Sequence, residues 1–126
     1  MMGTQVITET TMSLARPVDL THLSRYTGGD RAVNAEVLTL FATQSVELLG
    51  MLDAALTQND LKTWRDIAHS IKGGARGIGA FPLADTAAEL EQANPAEDHG
   101  RAARVLDDLK SRTRAVTLFI EDYLTG

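Results

Sequence analysis

The sequence contains no cysteine. That removes disulfides, thiol nucleophiles and the thiolate sets of structural zinc, and it fits a reducing compartment. The three histidines, His22, His69 and His99, lie far apart and none forms a ligand-spaced pair such as HExxH, so no built-in metal site is expected. Positive charge is in short supply. Twelve Lys+Arg against seventeen Asp+Glu give a formal net charge of −5, a field that repels a phosphate backbone, so nucleic acid is not an expected partner. No stretch approaches the roughly 18 uninterrupted apolar residues of a membrane span. No positively charged head precedes an apolar run near the start, so no signal peptide is read there, and a soluble, cytoplasmic protein without a membrane partner is expected. What is present is 126 residues, 44% hydrophobic and 23% charged, enough for one compact core and too few for two ordinary domains.

Residues 1–16 are Thr-rich, polar and without periodicity, and read as a flexible lead that Pro17 closes. The folded domain is expected over residues 17–126. Asp19 can cap a short helix carrying Leu20, Leu23 and Tyr26, which Gly28-Gly29 ends. From Asp30, a second N-cap candidate, apolar residues recur with three-four spacing at Val33, Val37, Leu40, Phe41, Leu48, Leu52, Ala55 and Leu56, which predicts a helix from 31 to about 57. Asn59-Asp60 breaks and recaps the chain. A second stripe follows at Leu61, Trp64, Ile67, Ala68, Ile71, Ala75 and Ile78, with Gly77 and Gly79 ending it. A short helix starts near Pro82, buries Leu83, Ala87 and Leu90, and stops at Asn94-Pro95. The last helix starts at about Ala96 or Glu97 and carries Ala102, Val105, Leu106, Leu109, Val116, Phe119, Ile120 and Tyr123 on one side. No segment alternates with period two between hairpin turns. The predicted fold is all-α, an antiparallel up-down-up-down four-helix bundle with a short N-terminal helix.

One place in this pattern asks for chemistry. On a wheel of about 100° per residue, His69 falls off the apolar stripe of its helix, on a face with Lys62, Arg65, Asp66, Lys72, Gly73 and Arg76. An ordinary surface histidine would satisfy that pattern. Gly73 and Gly74 change the weighting, because each costs roughly 0.8 to 1 kcal/mol relative to Ala inside a helix. Either close helix crossing or access to the neighbouring imidazole explains the missing side chains. Gly73 lies one turn after His69, where a bare backbone opens the ground beside the ring. Lys72 places a flexible ammonium where it can offset charge on a phosphate carried by that ring, with Arg65 and Arg76 adding to the field or serving only as solubilising charges.

The run Ala68-His69-Ser70-Ile71-Lys72-Gly73-Gly74-Ala75, continued by Gly77-Ile78-Gly79-Ala80, Leu83, Ala84, Ala87 and Leu90-Glu91, resembles the signature of histidine-containing phosphotransfer (HPt) domains. Upstream, Asp19, Leu20, Leu23, Tyr26, Gly28-Gly29-Asp30, Leu38, Phe41, Leu48, Leu49, Leu52 and Ala55 follow the same resemblance, which covers about Val18 to Leu124. It implies a phosphocarrier of multistep two-component phosphorelays, with His69 exposed on a four-helix bundle and phosphorylated there. A neutral imidazole, with an unperturbed pKa near 6.5, has one lone pair with which to attack an aspartyl phosphate. The expected nucleophile is Nε2, which requires a proton on Nδ1 and a carboxylate or amide from an adjacent helix to fix that tautomer. The resemblance puts Glu91 in that role; as a residue of the Glu89-Glu91-Gln92 polar run it is also readable as plain surface. Partners implied are response-regulator receiver domains and a hybrid sensor histidine kinase, with Mg²⁺ supplied by the receiver and no cofactor of the chain's own. The expected protein is a carrier without independent turnover, and a monomer, since it must expose its histidine.

Two rivals remain. The phosphoacceptor module of a sensor kinase usually follows its histidine with an acidic residue and a proline, whereas Ser70, Lys72 and Gly73 follow His69. A helical scaffold or inhibitor of a receiver or kinase would share the shape without carrying phosphate; retention of His69 and Lys72 argues against it. His22 and His99 read as surface residues and Trp64 as core.

Overall fold

The computed structural model describes residues 16–126. The lead expected over residues 1–16 lies outside the described residues except for Arg16. Five helices follow in order: α1 (Leu20–Thr27), α2 (Arg31–Gln58), α3 (Leu61–Ile78), α4 (Phe81–Gln92) and α5 (His99–Thr125). No strand occurs among the described residues.

Capping chemistry sets most of the boundaries. Asp19 starts α1 by accepting from the N–H groups of Thr21 and His22, and Asp30 starts α2 by accepting from that of Val33. Between α2 and α3, Asn59 turns the chain in the left-handed region at φ 52°, a conformation that Asn tolerates better than most side chains. The last helix begins later than expected, at His99 rather than Ala96 or Glu97. Asn94 explains the delay: its side chain accepts from Ala96 and Glu97 N–H, and its carbonyl accepts from Glu97 and Asp98 N–H. That turn consumes residues 95–97 before Asp98 caps α5 through Arg101 N–H.

Helices α2 to α5 form a closed four-helix bundle in which each packs on the next and α5 returns to α2, while α1 lies across the end against α2 and α3. The core is built from aliphatic residues and Trp64, with Leu23, Leu38, Leu52, Leu83, Leu90, Leu106, Leu109 and Ile120 all fully or nearly fully buried. At the capped end, Arg31 donates to the carbonyl of Tyr123 (2.5 Å) and sits over its ring at 4.4 Å. Asn34 bridges Thr27 and the Tyr123 hydroxyl. These contacts tie the start of α2 to the end of α5.

The expected α2 stripe is buried for most of its length: Leu52 and Ala55 lie in the core, and Val37, Phe41, Leu48 and Leu56 pack against it. Val33 and Leu40, however, are 40% and 58% exposed, and Asn34, Leu38 and Ser45, outside the stripe, are buried. Apolar residues surround much of this helix, so three-four spacing fits more than one stripe along its 28 residues. By length and composition α2 could cross a membrane; here Leu38, Leu52 and Ala55 pack inside the bundle, and Glu36, Glu47 and Asp53 are exposed along its length.

Candidate functional site

Helix α3 carries the residues singled out by the sequence. Asp60 initiates it, accepting from the Thr63 hydroxyl (2.7 Å) and the Thr63 N–H (3.2 Å), and these bonds hold its carboxyl below the ordinary aspartate value. Trp64, Ile67, Ala68, Ile71, Ala75 and Ile78 turn into the core. The opposite face presents Lys62, Arg65, Asp66, His69, Gly73 and Arg76 to solvent.

The second half of the site comes from α4. Glu91 leaves that helix one residue before its end and reaches across to α3. Its Oε2 stands 3.3 Å from His69 Nδ1, and its Oε1 accepts a 2.6 Å bond from Lys72 Nζ. The His69 side chain is 71% exposed, whereas those of Lys72 and Glu91 are 19% and 22% exposed. The ring is therefore open and the groups behind it are sheltered. The Lys72 hydrogen bond, aided by His69, holds the Glu91 carboxyl below its ordinary value against the opposing effect of partial burial. An ionised carboxylate only accepts hydrogen bonds, so the neutral His69 ring meets it with the proton on Nδ1 and keeps the lone pair on Nε2.

His69, Lys72 and Glu91 are thus brought together. Lys72 does not stand free beside the ring: it is bound to Glu91, a contact that sequence reasoning missed.

The paired glycines meet different surroundings. A Cβ on Gly74 would touch Phe41 of α2 at 3.4 Å, so this residue serves the close crossing of α2 and α3. A Cβ on Gly73 would meet nothing within 4 Å. Gly77, expected to end the helix, lies inside α3 and also faces open space. Gly79 alone makes the stop. It takes φ 80°, and a Cβ there would fall 2.6 Å from the Asp19 carbonyl oxygen, where Asp19 N–H donates back to the Gly79 carbonyl (2.9 Å).

Trp64 is fully buried, as its place on the stripe indicated, and its Nε1–H donates to the Leu90 carbonyl at 2.8 Å. The signal for that bond was faint in the sequence: a buried indole needs an acceptor, and the last carbonyls of a helix lack intrahelical donors. His22 departs from the expected surface position. It is half-buried, packed edge-on against Tyr26 and Phe81 at centroid distances of 5.3 and 5.0 Å. The start of α4 brings Phe81 there, which the short α1 pattern could not indicate. His99 is exposed at the first position of α5. Among the described residues no group of three metal-ligating side chains is assembled.

The Hpt domain family model matches residues 36–116, well over half of the chain, and this span includes His69, Lys72, Gly73 and Glu91. The chain belongs to the Hpt family. Among solved structures, this Hpt domain is similar to histidine-containing phosphotransfer protein B of Pseudomonas aeruginosa, at 26% identity and a TM-score of 0.78 over 89% of this chain and 98% of that one. No curated protein matches the chain. Hpt domains are phosphocarrier modules of two-component phosphorelays, working with receiver domains and kinases, and histidine phosphotransfer is the role this membership assigns. The four-helix bundle is the fold expected of it.

Proposed function

We propose that His69 accepts a phosphoryl group from a receiver-domain aspartate and passes it to, or takes it back from, another receiver aspartate. The observation that carries this reading is the arrangement of the ring: open to solvent, with Nδ1 facing the ionised Glu91 carboxylate. In the forward step the Nε2 lone pair attacks phosphorus, a P–N bond forms, and the P–O bond to the aspartyl carboxylate breaks. The carboxylate leaves with the bonding pair, and the proton stays on Nδ1 against Glu91. Transfer onward is the same step in reverse. Mg²⁺, held by the receiver, would offset charge on the phosphoryl oxygens, and the step as written asks for no cofactor from this chain.

Lys72 lies one turn from His69 and has three N–H donors, one of which Glu91 occupies. The others offset negative charge on the phosphorylated ring. Gly73 leaves the approach bare. Because Gly74 seats Phe41, the side of α3 that carries Gly73 adjoins α2. On a helical wheel the exposed Val33, Leu40 and Met51 share one face of α2, next to Phe41. This apolar stripe receives the docking receiver. The partners are receiver domains and a hybrid sensor histidine kinase, the chain works as a cytoplasmic monomer, and turnover belongs to the partners.

The test is incubation of the purified protein with a phosphorylated receiver and Mg²⁺, read by intact mass and by acid and alkali treatment. A single added phosphoryl group that is acid-labile, alkali-stable and absent from His69→Gln supports the carrier. Failure to label from several receivers that nevertheless bind would instead support the scaffold.

A further inference from the structure

We propose that Trp64 is a positioning residue of the relay site, its indole N–H fixing the end of α4 so that Glu91 reaches His69. The proposal rests on the reading of His69 as the phosphoacceptor for its kinetic consequence only. The structural consequence can be measured without any phosphate.

The argument starts from the end of α4. Helix termini fray because their last carbonyls have no donor four residues on. In α4 the Leu90 carbonyl is one of these. It accepts from Ala93 N–H at 3.1 Å and, at 2.8 Å, from the Trp64 indole. The indole is fully buried in α3, one turn before Ala68, and so forms a fixed point inside the core. Glu91 is the next residue after Leu90, in the same terminal turn. Its two contacts run to the same helix that holds Trp64: 2.6 Å to Lys72 and 3.3 Å to His69. The three bonds thus form a ladder between α3 and α4, with one rung in the core and two at the surface.

The rungs differ in tolerance. Lys72 has a flexible four-carbon stem and can follow a displaced carboxylate. The His69 ring is a rigid plane, and at 3.3 Å its contact with Glu91 is already longer than a normal N–H···O hydrogen bond. Loosening the last turn of α4 therefore weakens the His69 contact first and leaves the Lys72 pair in place. Loss of the former frees the proton to move from Nδ1 to Nε2, which removes the nucleophilic lone pair. Bulk alone does not supply this function: phenylalanine fills much of the same volume but has no donor for Leu90.

Two variants test it. Trp64→Phe removes the N–H with a change of volume, and replacement of Trp64 by 3-benzothienylalanine removes it with shape retained. Circular dichroism and thermal melting establish that each is folded, and the analogue decides if Trp64→Phe is not. The primary readout is the His69 tautomer, from ring ¹⁵N shifts of the unphosphorylated protein at alkaline pH. The expected result is a predominantly Nδ1–H ring in the wild type, shifted toward the mixture of Glu91→Ala when the indole N–H is absent. Phosphoryl acceptance should fall about fivefold, the factor given by one neutral hydrogen bond of ~1 kcal/mol. That loss should disappear when the same replacement is made on a Glu91→Ala background. A folded benzothienyl variant with the wild-type tautomer overturns the proposal. The expected tautomer shift in the variants, beside a wild type that never labels, overturns the relay reading instead and leaves the positioning role standing.

Discussion

Replacement of Gly73 should make the protein more stable and a poorer phosphocarrier. A glycine inside a helix costs roughly 0.8 to 1 kcal/mol relative to alanine. A Cβ at Gly73 meets nothing within 4 Å, so no steric penalty offsets the gain in Gly73→Ala, and the melting temperature should rise by about 4 °C. Glutamine is also a better helix former than glycine, so Gly73→Gln should fold as well as the wild type. Its side chain, however, would lean back over the preceding turn, the direction in which helical side chains point, and His69 lies there. Transfer from a phosphorylated receiver should then slow by about tenfold, the equivalent of ~1.4 kcal/mol lost from the encounter, with Gly73→Ala intermediate. Gly50 supplies the comparison. It is an exposed glycine within α2 that likewise has nothing within 4 Å, and Gly50→Ala should match the gain in stability without slowing transfer. Rapid-quench transfer assays beside thermal melts give both quantities. Wild-type transfer by a folded Gly73→Gln, or a loss of stability in Gly73→Ala, would refute the reasoning.

Further outcomes follow from the same geometry. Glu91→Gln should retain an acceptor for His69 but leave Lys72 without its counter-charge, so it should transfer faster than Glu91→Ala and more slowly than the wild type. Because the Glu91 carboxyl is held below its ordinary value of 4.5, its contribution is complete above that pH and is lost as pH falls through the lowered value. The stability advantage of the wild type over Glu91→Gln should therefore persist down to about pH 5, and its disappearance at higher pH in denaturant titrations would count against the Lys72 pair. Arg31→Ala removes the clamp on Tyr123 and should cost about 1 kcal/mol in urea unfolding, with transfer rates unaltered. Leu40→Asp on the exposed stripe of α2 should weaken receiver binding in calorimetry. Val46→Asp, at a 75% exposed position roughly 120° around the same helix, should not.

Much of the fold was legible because its signals are local. Asp19, Asp30 and Asp60 announce three helix starts by their own capping chemistry, and the α3 stripe from Trp64 to Ile78 is buried as its spacing requires. The α2 stripe missed at Val33 and Leu40, which are exposed, for a physical reason. A long helix with apolar residues on several sides chooses its buried face by what its neighbours cover, and sequence spacing does not contain that choice. The start of α5 depended on a turn around Asn94 whose side chain holds two backbone N–H groups at once. In the site, His69 was visible as a polar departure from an apolar stripe, and Glu91 as a position in a family signature. The tie between Lys72 and Glu91 and the bond from Trp64 to Leu90 were not visible, because both join residues 19 and 26 positions apart across two helices.

The two sides of α3 are unequal, and that inequality bears on how a carrier works. Toward α4, His69 is backed by a set of bonded groups: Glu91 holds the ring and Lys72, and Leu90 holds the Trp64 indole. These groups share one carboxylate and one terminal turn, so displacing any of them disturbs the others. Toward α2, Gly73 and Gly77 present bare backbone, and Gly74 draws Phe41 close. A partner that entered from the α4 side would have to break the contacts that orient the nucleophile, whereas one that enters over the glycines meets the ring with its proton already placed. Pre-organisation lowers the barrier only if docking leaves it intact. On the proposed role of His69, the glycines and the carboxylate are therefore two parts of one requirement: the ring has to be held from one side so that it can be reached from the other.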